Sequence, residues 1–267
     1  MIDRYEILDH AELLHTDCID WMKSEIRMGN TCLFDMIFAD PPYFGSSGGV
    51  TGVGGKMVSN IKGDWDKPLG FEEELKFTHR WLSLCQQMLT KDGTIWVTGN
   101  HMNIHMVGFV MKKLGMHILN HITWCKPNPP PNMGCRVFTH STETILWASK
   151  TPESKYTFNY ELMKYVNGGR QMKDVWKFAP PRKTPTNPER HPTQKPIELP
   201  QRCILASTNP DDMVFDPFMG SGTTGIAALA HGRFFTGCEK DGLCFNAAAM
   251  RMENRQVLSD EQRKALG

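Results

Sequence analysis

No stretch of this 267-residue chain is apolar over the eighteen or so residues that a membrane-spanning helix needs, so no such helix is expected. The first residues, Met1-Ile2-Asp3-Arg4-Tyr5-Glu6, carry acids and lack the apolar core of a signal peptide, which points to a cytoplasmic protein. The eight cysteines include no C-x-x-C pair, and several sit inside apolar segments. That spacing speaks against zinc ribbons and redox pairs and for small buried thiols in a reducing compartment. His101 and His105 are four residues apart but have no suitably placed acid, so no metal is expected. There are no internal repeats. A net charge of +1 predicts no polyanionic partner by itself.

The charge is uneven, however. Lys150 to Arg202 holds eleven basic and five acidic residues, a surplus of six, which leaves the remainder at −5. Such asymmetry suits one surface that faces phosphates, or else a solvated loop region. Apolar residues make up 40% of the chain, enough for a sizeable core, and the length suits one α/β domain over residues 1–267.

The organising stretch is Met213-Val214-Phe215-Asp216-Pro217-Phe218-Met219-Gly220-Ser221-Gly222-Thr223-Thr224-Gly225. An apolar strand ends in an acid, a glycine turn follows, and residues 226–230 read as a helix. This is how α/β proteins hold nucleotide-like ligands, because glycines admit close backbone approach and the helix start presents free N–H groups. A further strand, Arg233 to Glu239, ends in an acid placed to hold ribose hydroxyls. Gly220 to Gly225 also fits G-x-G-x-x-G, so a nicotinamide-linked oxidoreductase stands as an alternative from another class.

Strands are expected at 12–17, 35–39, 94–98, 117–124, 142–148, 213–216 and 233–239. Helices are expected from Asp20, over 71–89 with Asp92-Gly93 as its stop, and over 103–114 and 198–207. The pattern predicts a doubly wound sheet of seven strands, mostly parallel, with an antiparallel edge formed by 117–124 and 142–148. Residues 44–63 are too long and glycine-rich for a connector and read as a mobile binding loop. Residues 149–190 are basic, proline- and glycine-rich and read as an inserted recognition region.

Asp40-Pro41-Pro42-Tyr43 follows the buried strand 35–39. In an open α/β sheet, the ends of parallel strands share one crevice. A nucleobase amine is a poor nucleophile because its lone pair is delocalised into the ring. Asp40 and the Pro41 carbonyl, accepting its two N–H groups, favour localisation of that pair. Tyr43 offers a flat face for an extruded base, and the two prolines hold the set rigid.

These two motifs together resemble the S-adenosylmethionine-dependent DNA amino-methyltransferases, in the β-class order with the catalytic tetrapeptide first. His191-Pro192-Thr193-Gln194-Lys195-Pro196 resembles the segment that precedes the cofactor strand in that class. The stretches 38–44, 62–67, 138–148 and 171–176 are similar to the DpnA-type adenine methyltransferases of DpnII-like restriction systems, which act on GATC and tolerate single-stranded DNA. Phe178 to Pro185 departs from that pattern in being rich in proline.

The resemblance implies a Rossmann-like methyltransferase fold and S-adenosylmethionine as the cofactor. Asp216, Phe218, Gly220 and Gly222 would shape the methionine and sulfonium pocket, with Ser221 and Thr223 as polar contacts. Glu239 would hold the ribose, Asp17 the adenine amine, and Lys195 the cofactor carboxylate or a DNA phosphate. Asp40, Pro41, Pro42 and Tyr43 would be catalytic, while Lys126, Arg136, Arg170, Lys173, Arg182 and Lys183 would meet DNA. The implied reaction is N6 methylation of adenine in double- or single-stranded DNA, beside a separately acting restriction endonuclease. N4 methylation of cytosine and an RNA or glutamine substrate are the rivals. A homodimer and a monomer are both allowed.

Overall fold

The computed structural model describes residues 3–7, 10–45, 50–53, 56–59, 67–129, 131–132, 134–180 and 195–254. In chain order its elements are β1 (Asp3–Ile7), β2 (Ala11–His15), α1 (Cys18–Arg27), β3 (Phe34–Ala39), β4 (Val50–Val53) and β5 (Lys56–Ser59). Then come α2 (Phe71–Met88), β6 (Leu89–Gly99), α3 (Ile104–Lys113), β7 (His117–Cys125), β8 (Thr142–Ser149), α4 (Tyr160–Val166) and β9 (Val175–Lys177). The last are α5 (Glu198–Ser207), β10 (Met213–Asp216), α6 (Thr223–Ala230), β11 (Phe234–Glu239) and α7 (Gly242–Glu253).

Nine strands form one sheet in the order β1-β2-β11-β10-β3-β6-β8-β7-β9. The five from β2 to β6 run parallel, while β8 is reversed between β6 and β7, and β1 is reversed against β2. The seven expected strands are all present, and 117–124 with 142–148 form the expected antiparallel pair. Two edge strands, β1 and β9, were not expected. Nor was the separate β4–β5 hairpin, which falls within the span read as a loop.

Helix α2 ends at Met88, and Asp92-Gly93 lies inside β6 instead of stopping the helix. The irregularity that a glycine allows appears there as a register shift in the β3–β6 pairing.

β3 reads as one apolar run because helices cover both faces of the sheet. One face gathers Met36, Phe38, Trp96 and Phe235 with α5, α6 and α7, and the other gathers Ile37, Ile95 and Phe215 with α1, α2 and α3. On the first face Trp96 stacks on Trp147 (centroids 4.7 Å apart, rings 9° from parallel). Its Nε1 donates to Ser207 Oγ at 2.9 Å, which ties the sheet to α5. Rings buried this completely each contribute roughly 1.5–3 kcal/mol through area alone.

Within residues 149–180, 150–155 bond to β6, α4 packs on α5, and β9 pairs with β7. Met163 and Trp176 are buried, and Asn159 Nδ2 donates to the carbonyls of Leu205 and Thr208 at 2.9 and 2.8 Å.

The chain leaves β10 towards β11 and leaves β3 towards β6, so the connections diverge between the adjacent strands β10 and β3. Ligands of open α/β sheets bind at such a divergence.

Candidate active site

A cavity of about 400 Å³ opens at this divergence, at the carboxyl ends of the parallel strands. Asp216 ends β10 and is 2% exposed. Its Oδ1 accepts from Phe218 N–H at 2.9 Å and its Oδ2 from Thr224 Oγ1 at 2.6 Å. Burial pushes its carboxyl up to about 7, against the pull of those two donors. Phe218 sets its ring edge-on to Trp81 at 5.5 Å, on the α2 side.

The turn then crosses to β11. Gly220 N–H donates to Glu239 Oε2 at 2.8 Å, and Asp241 N–H to Glu239 Oε1 at 2.7 Å. Burial also raises the Glu239 carboxyl. Asp17 caps α1 through Ile19 N–H at 2.9 Å and lies 3.3 Å from Lys240 Nζ.

Gly220 and Gly222 have φ of +54° and +76°, in the region that glycine alone enters freely. Gly222 is where α6 meets α7: a Cβ there would lie 2.5 Å from Met252 Cε and 3.0 Å from Ala248 Cβ.

Eight of the nine residues assigned to the cofactor line the cavity: Asp17, Lys195, Asp216, Phe218, Gly220, Ser221, Thr223 and Glu239. Gly222 does not, and its place is in helix packing instead. Ser221 already accepts from Arg251 on α7, at 2.8 Å through its hydroxyl. Phe77, Lys240, Asp241 and Cys244, which no motif marked, also line the cavity.

Asp40 and Pro42 line the same cavity; Pro41 and Tyr43 do not. Tyr43 differs from the sequence expectation of an open stacking face. It is 8% exposed, and its hydroxyl points inward to Asp40 Oδ1 at 2.8 Å, Thr98 Oγ1 at 3.1 Å and Glu143 Oε2 at 3.2 Å. Burial and the two neighbouring carboxylates push the phenol well above its ordinary range. Thr98 Oγ1 also donates to Asp40 Oδ1.

Lys195 was assigned to a cofactor carboxylate or a phosphate. Instead its Nζ lies 2.8 Å from Asp40 Oδ2, 3.4 Å from Glu143 Oε2 and 5.0 Å above the Tyr43 ring. Lys126, assigned to DNA, is ion-paired with Glu143 and sits 5.0 Å above the ring of Trp124. Held by Lys195 and Lys126, the Glu143 carboxyl falls to about 2 in spite of its burial. Lys195 is raised by Asp40 and Glu143 against the opposing effect of its own burial.

Thr98 and Glu143 were not foreseen. The one available signal was an acid, Glu143, just before the apolar run 145–148 of β8. Arg136, Arg170 and Lys173 are exposed, and Arg182 and Lys183 lie outside the described residues. Among the described residues no group of His, Cys, Asp and Glu could hold a metal ion.

S-adenosylmethionine is an adenosine joined to an amino acid through a positively charged sulfur. The lining fits it: acids at three strand ends, a glycine turn that lets the backbone come close, and an apolar wall at Phe218. A site of this kind, at the carboxyl ends of the parallel strands of an α/β sheet whose strand β8 is reversed between β6 and β7, defines an S-adenosylmethionine-dependent methyltransferase.

Comparison with known proteins gives the family. The N6/N4 methyltransferase family, described as DNA methylase, matches residues 34–249. The chain is 50% identical over 242 residues to the type II methyltransferase M2.DpnII of Streptococcus pneumoniae, covering 90% of this chain and 89% of that protein. It is 47% identical over 253 residues to M2.LlaDCHI of Lactococcus lactis subsp. cremoris, covering 94% and 93%. It superposes with a TM-score of 0.69 on a crystal structure of the M1.HpyAVI–SAM complex, at 24% identity, over 91% of this chain and 98% of that one; at this identity the likeness bears on the fold. The chain belongs to the N6/N4 DNA methylase family.

Proposed function

We propose that this enzyme methylates the N6 of adenine in GATC sites, on double-stranded and on single-stranded DNA, as the modification half of a restriction–modification system. The observation that carries the reading is that Asp40 opens onto the same cavity as Asp216, Phe218 and Glu239. Base and methyl donor can therefore meet across one gap. The GATC assignment rests on the 138–148 and 171–176 stretches and on 46–50% identity to type II methyltransferases, M2.DpnII and M2.MboI among them.

S-adenosylmethionine, when bound, supplies an electrophilic methyl carbon and accepts the electron pair released on transfer. Asp17, Asp216, Gly220 and Glu239 would hold it, with Phe218 against its apolar portion. The rest is the work of Asp40 and its turn. The carboxylate accepts one N–H of the adenine amine and the Pro41 carbonyl accepts the other. Asp40 then offsets the positive charge that grows on nitrogen and is the nearest acceptor for the proton that N6 sheds. Thr98 and Tyr43 fix the carboxylate so that no reorganisation is needed as charge develops.

DNA would lie over the carboxyl edge of the sheet. The 126–141 connection opens there, carrying Arg136 and Phe138, whose ring is 97% exposed. Residues 149–190 would supply Arg170 and Lys173 to the phosphates and, with the 44–63 span, much of which lies outside the described residues, would embrace the DNA. The partner system is a site-matched endonuclease acting separately, and the place of action is the cytoplasm.

The test uses purified protein, tritiated S-adenosylmethionine and oligonucleotides with and without GATC, single- and double-stranded, followed by nucleoside separation. N6-methyladenine confined to GATC is expected. N4-methylcytosine, or label without regard to GATC, would overturn the assignment. Asp40→Ala should abolish turnover while S-adenosylmethionine still binds by calorimetry.

A further inference from the structure

Three donors already converge on Asp40. Oδ1 receives the hydroxyls of Tyr43 and Thr98, and Oδ2 receives the Lys195 ammonium at 2.8 Å. The two hydroxyls fill Oδ1, so an adenine amine that is to donate to this carboxylate must come to Oδ2, on the side where Lys195 stands. The two hydroxyls hang from short or rigid side chains packed against the strands. Lys195 is the long, mobile donor, and a nitrogen bearing positive charge beside a carboxylate is the chemical likeness of a newly methylated amine.

We propose that Lys195 is a displaceable occupant of the target-amine site, and that Glu143 is the carboxylate that receives it when the base enters. The inference rests on the methyltransferase reading. Glu143 Oε2 already stands 3.4 Å from Lys195 Nζ, so the ammonium can shift its weight from one acid to the other without crossing into solvent. The side chains of Lys195, Glu143 and Asp40 are 10%, 13% and 20% exposed. In surroundings this dry, an ammonium leaving Asp40 with no second acid to meet would be a buried, uncompensated charge.

Lys126 completes a balanced set of two cations and two acids with Lys195, Asp40 and Glu143. That balance survives the exchange, because a neutral amine enters and Lys195 stays within the cluster. When the proton shed by the product amine has passed through Asp40 to solvent and the carboxylate is ionised again, the return of Lys195 to Asp40 expels the methylated base. Glu143 is thus a positioning residue: it acts through Lys195 and does not touch the substrate.

The test measures duplex DNA carrying 2-aminopurine at the target adenine, with S-adenosylhomocysteine present, alongside steady-state methylation of unmodified duplex. Wild-type turnover comes first; its absence would overturn the methyltransferase reading and this inference with it, whereas the variants below, measured against an active wild type, can overturn this inference alone. Glu143→Gln keeps shape and hydrogen bonding but removes the receiving charge. It should reduce the 2-aminopurine fluorescence rise and raise KM for DNA by about tenfold or more, the scale of one close charge pair. Adding Lys195→Met removes the occupant, and the double variant should recover most of both. Glu143→Asp, which keeps the charge, should fall between wild type and Glu143→Gln, and thermal melting checks that each variant folds. A double variant as impaired as Glu143→Gln, or one whose KM for S-adenosylmethionine rises instead, would overturn the proposal. The second result would return Lys195 to the cofactor carboxylate.

Discussion

Gly222 and Gly220 stand two residues apart in one turn, both with positive φ, yet alanine should affect them differently. At Gly222 an added Cβ meets Met252 Cε at 2.5 Å, Ala248 Cβ at 3.0 Å and Ala248 Cα at 3.3 Å. The methionine tip can move aside, but the backbone of α7 cannot do so without lifting the helix. Left-handed strain costs about 1–2 kcal/mol and overpacking about 1–3 kcal/mol, so Gly222→Ala should destabilise by roughly 2–5 kcal/mol. At Gly220 the same Cβ meets only Phe218 O, at 3.9 Å, and strain alone remains, about 1–2 kcal/mol. Gly220, unlike Gly222, lines the cavity. Urea denaturation should therefore move much further for Gly222→Ala, while calorimetry with S-adenosylmethionine should show the larger specific loss of affinity for Gly220→Ala. Equal shifts in the urea midpoint at unchanged slope would refute the packing argument.

Two carboxylates set opposite pH dependences. Asp216, raised by burial to about 7, contributes stability that is complete below its ordinary carboxylate pKa and is lost as pH rises to about 7. The difference in stability between wild type and Asp216→Asn, measured by urea titration, should follow that fall. A bound sulfonium favours the ionised form, so S-adenosylmethionine binding near pH 6 should release protons, detectable by calorimetry in buffers of different ionisation enthalpy. Glu143, held down to about 2, contributes stability present above its ordinary pKa and lost as pH falls towards 2. Glu143→Gln should remove that acid-side loss and leave the neutral range flat in comparison. Arg233 is 4% exposed, with Nε and NH2 donating to Thr208 at 2.9 and 2.7 Å and NH1 to the His231 carbonyl. Arg233→Met should cost about 3 kcal/mol by leaving those acceptors unmet, seen as a lowered urea midpoint with catalysis at permissive temperature intact.

The strands that could be read in the sequence are those buried on both faces, where an apolar run has no other explanation. β1 escaped notice because Asp3-Arg4-Tyr5-Glu6-Ile7 is mostly polar; it is placed by antiparallel pairing with β2, across which Arg4 meets Glu12. β9 is three residues long and is held by the burial of Trp176, which no local pattern announces. The β4–β5 hairpin and α4 lay in stretches whose glycine or polar content masked any period. The site divides in the same way. Asp40 and Asp216 were legible because the chemistry of each is written in contiguous residues. Glu143 was not, because its importance arises only when the reversed strand β8 brings it to Tyr43, a hundred positions earlier in the chain.

The seam between β3 and β10 bears on how the enzyme is made. These strands are hydrogen-bonded neighbours, yet Asp35 on one accepts from Met213 N–H on the other across 178 positions. At synthesis rates of about 5–20 residues per second, the acid that would grip the target base leaves the ribosome roughly 10–35 seconds before the turn that would hold the methyl donor. Until β10 arrives, one edge of β3 has no partner and the crevice lacks a wall. The catalytic half must therefore wait for its sheet to close from the far end of the chain, and no partial product of synthesis possesses a methyl-transfer site.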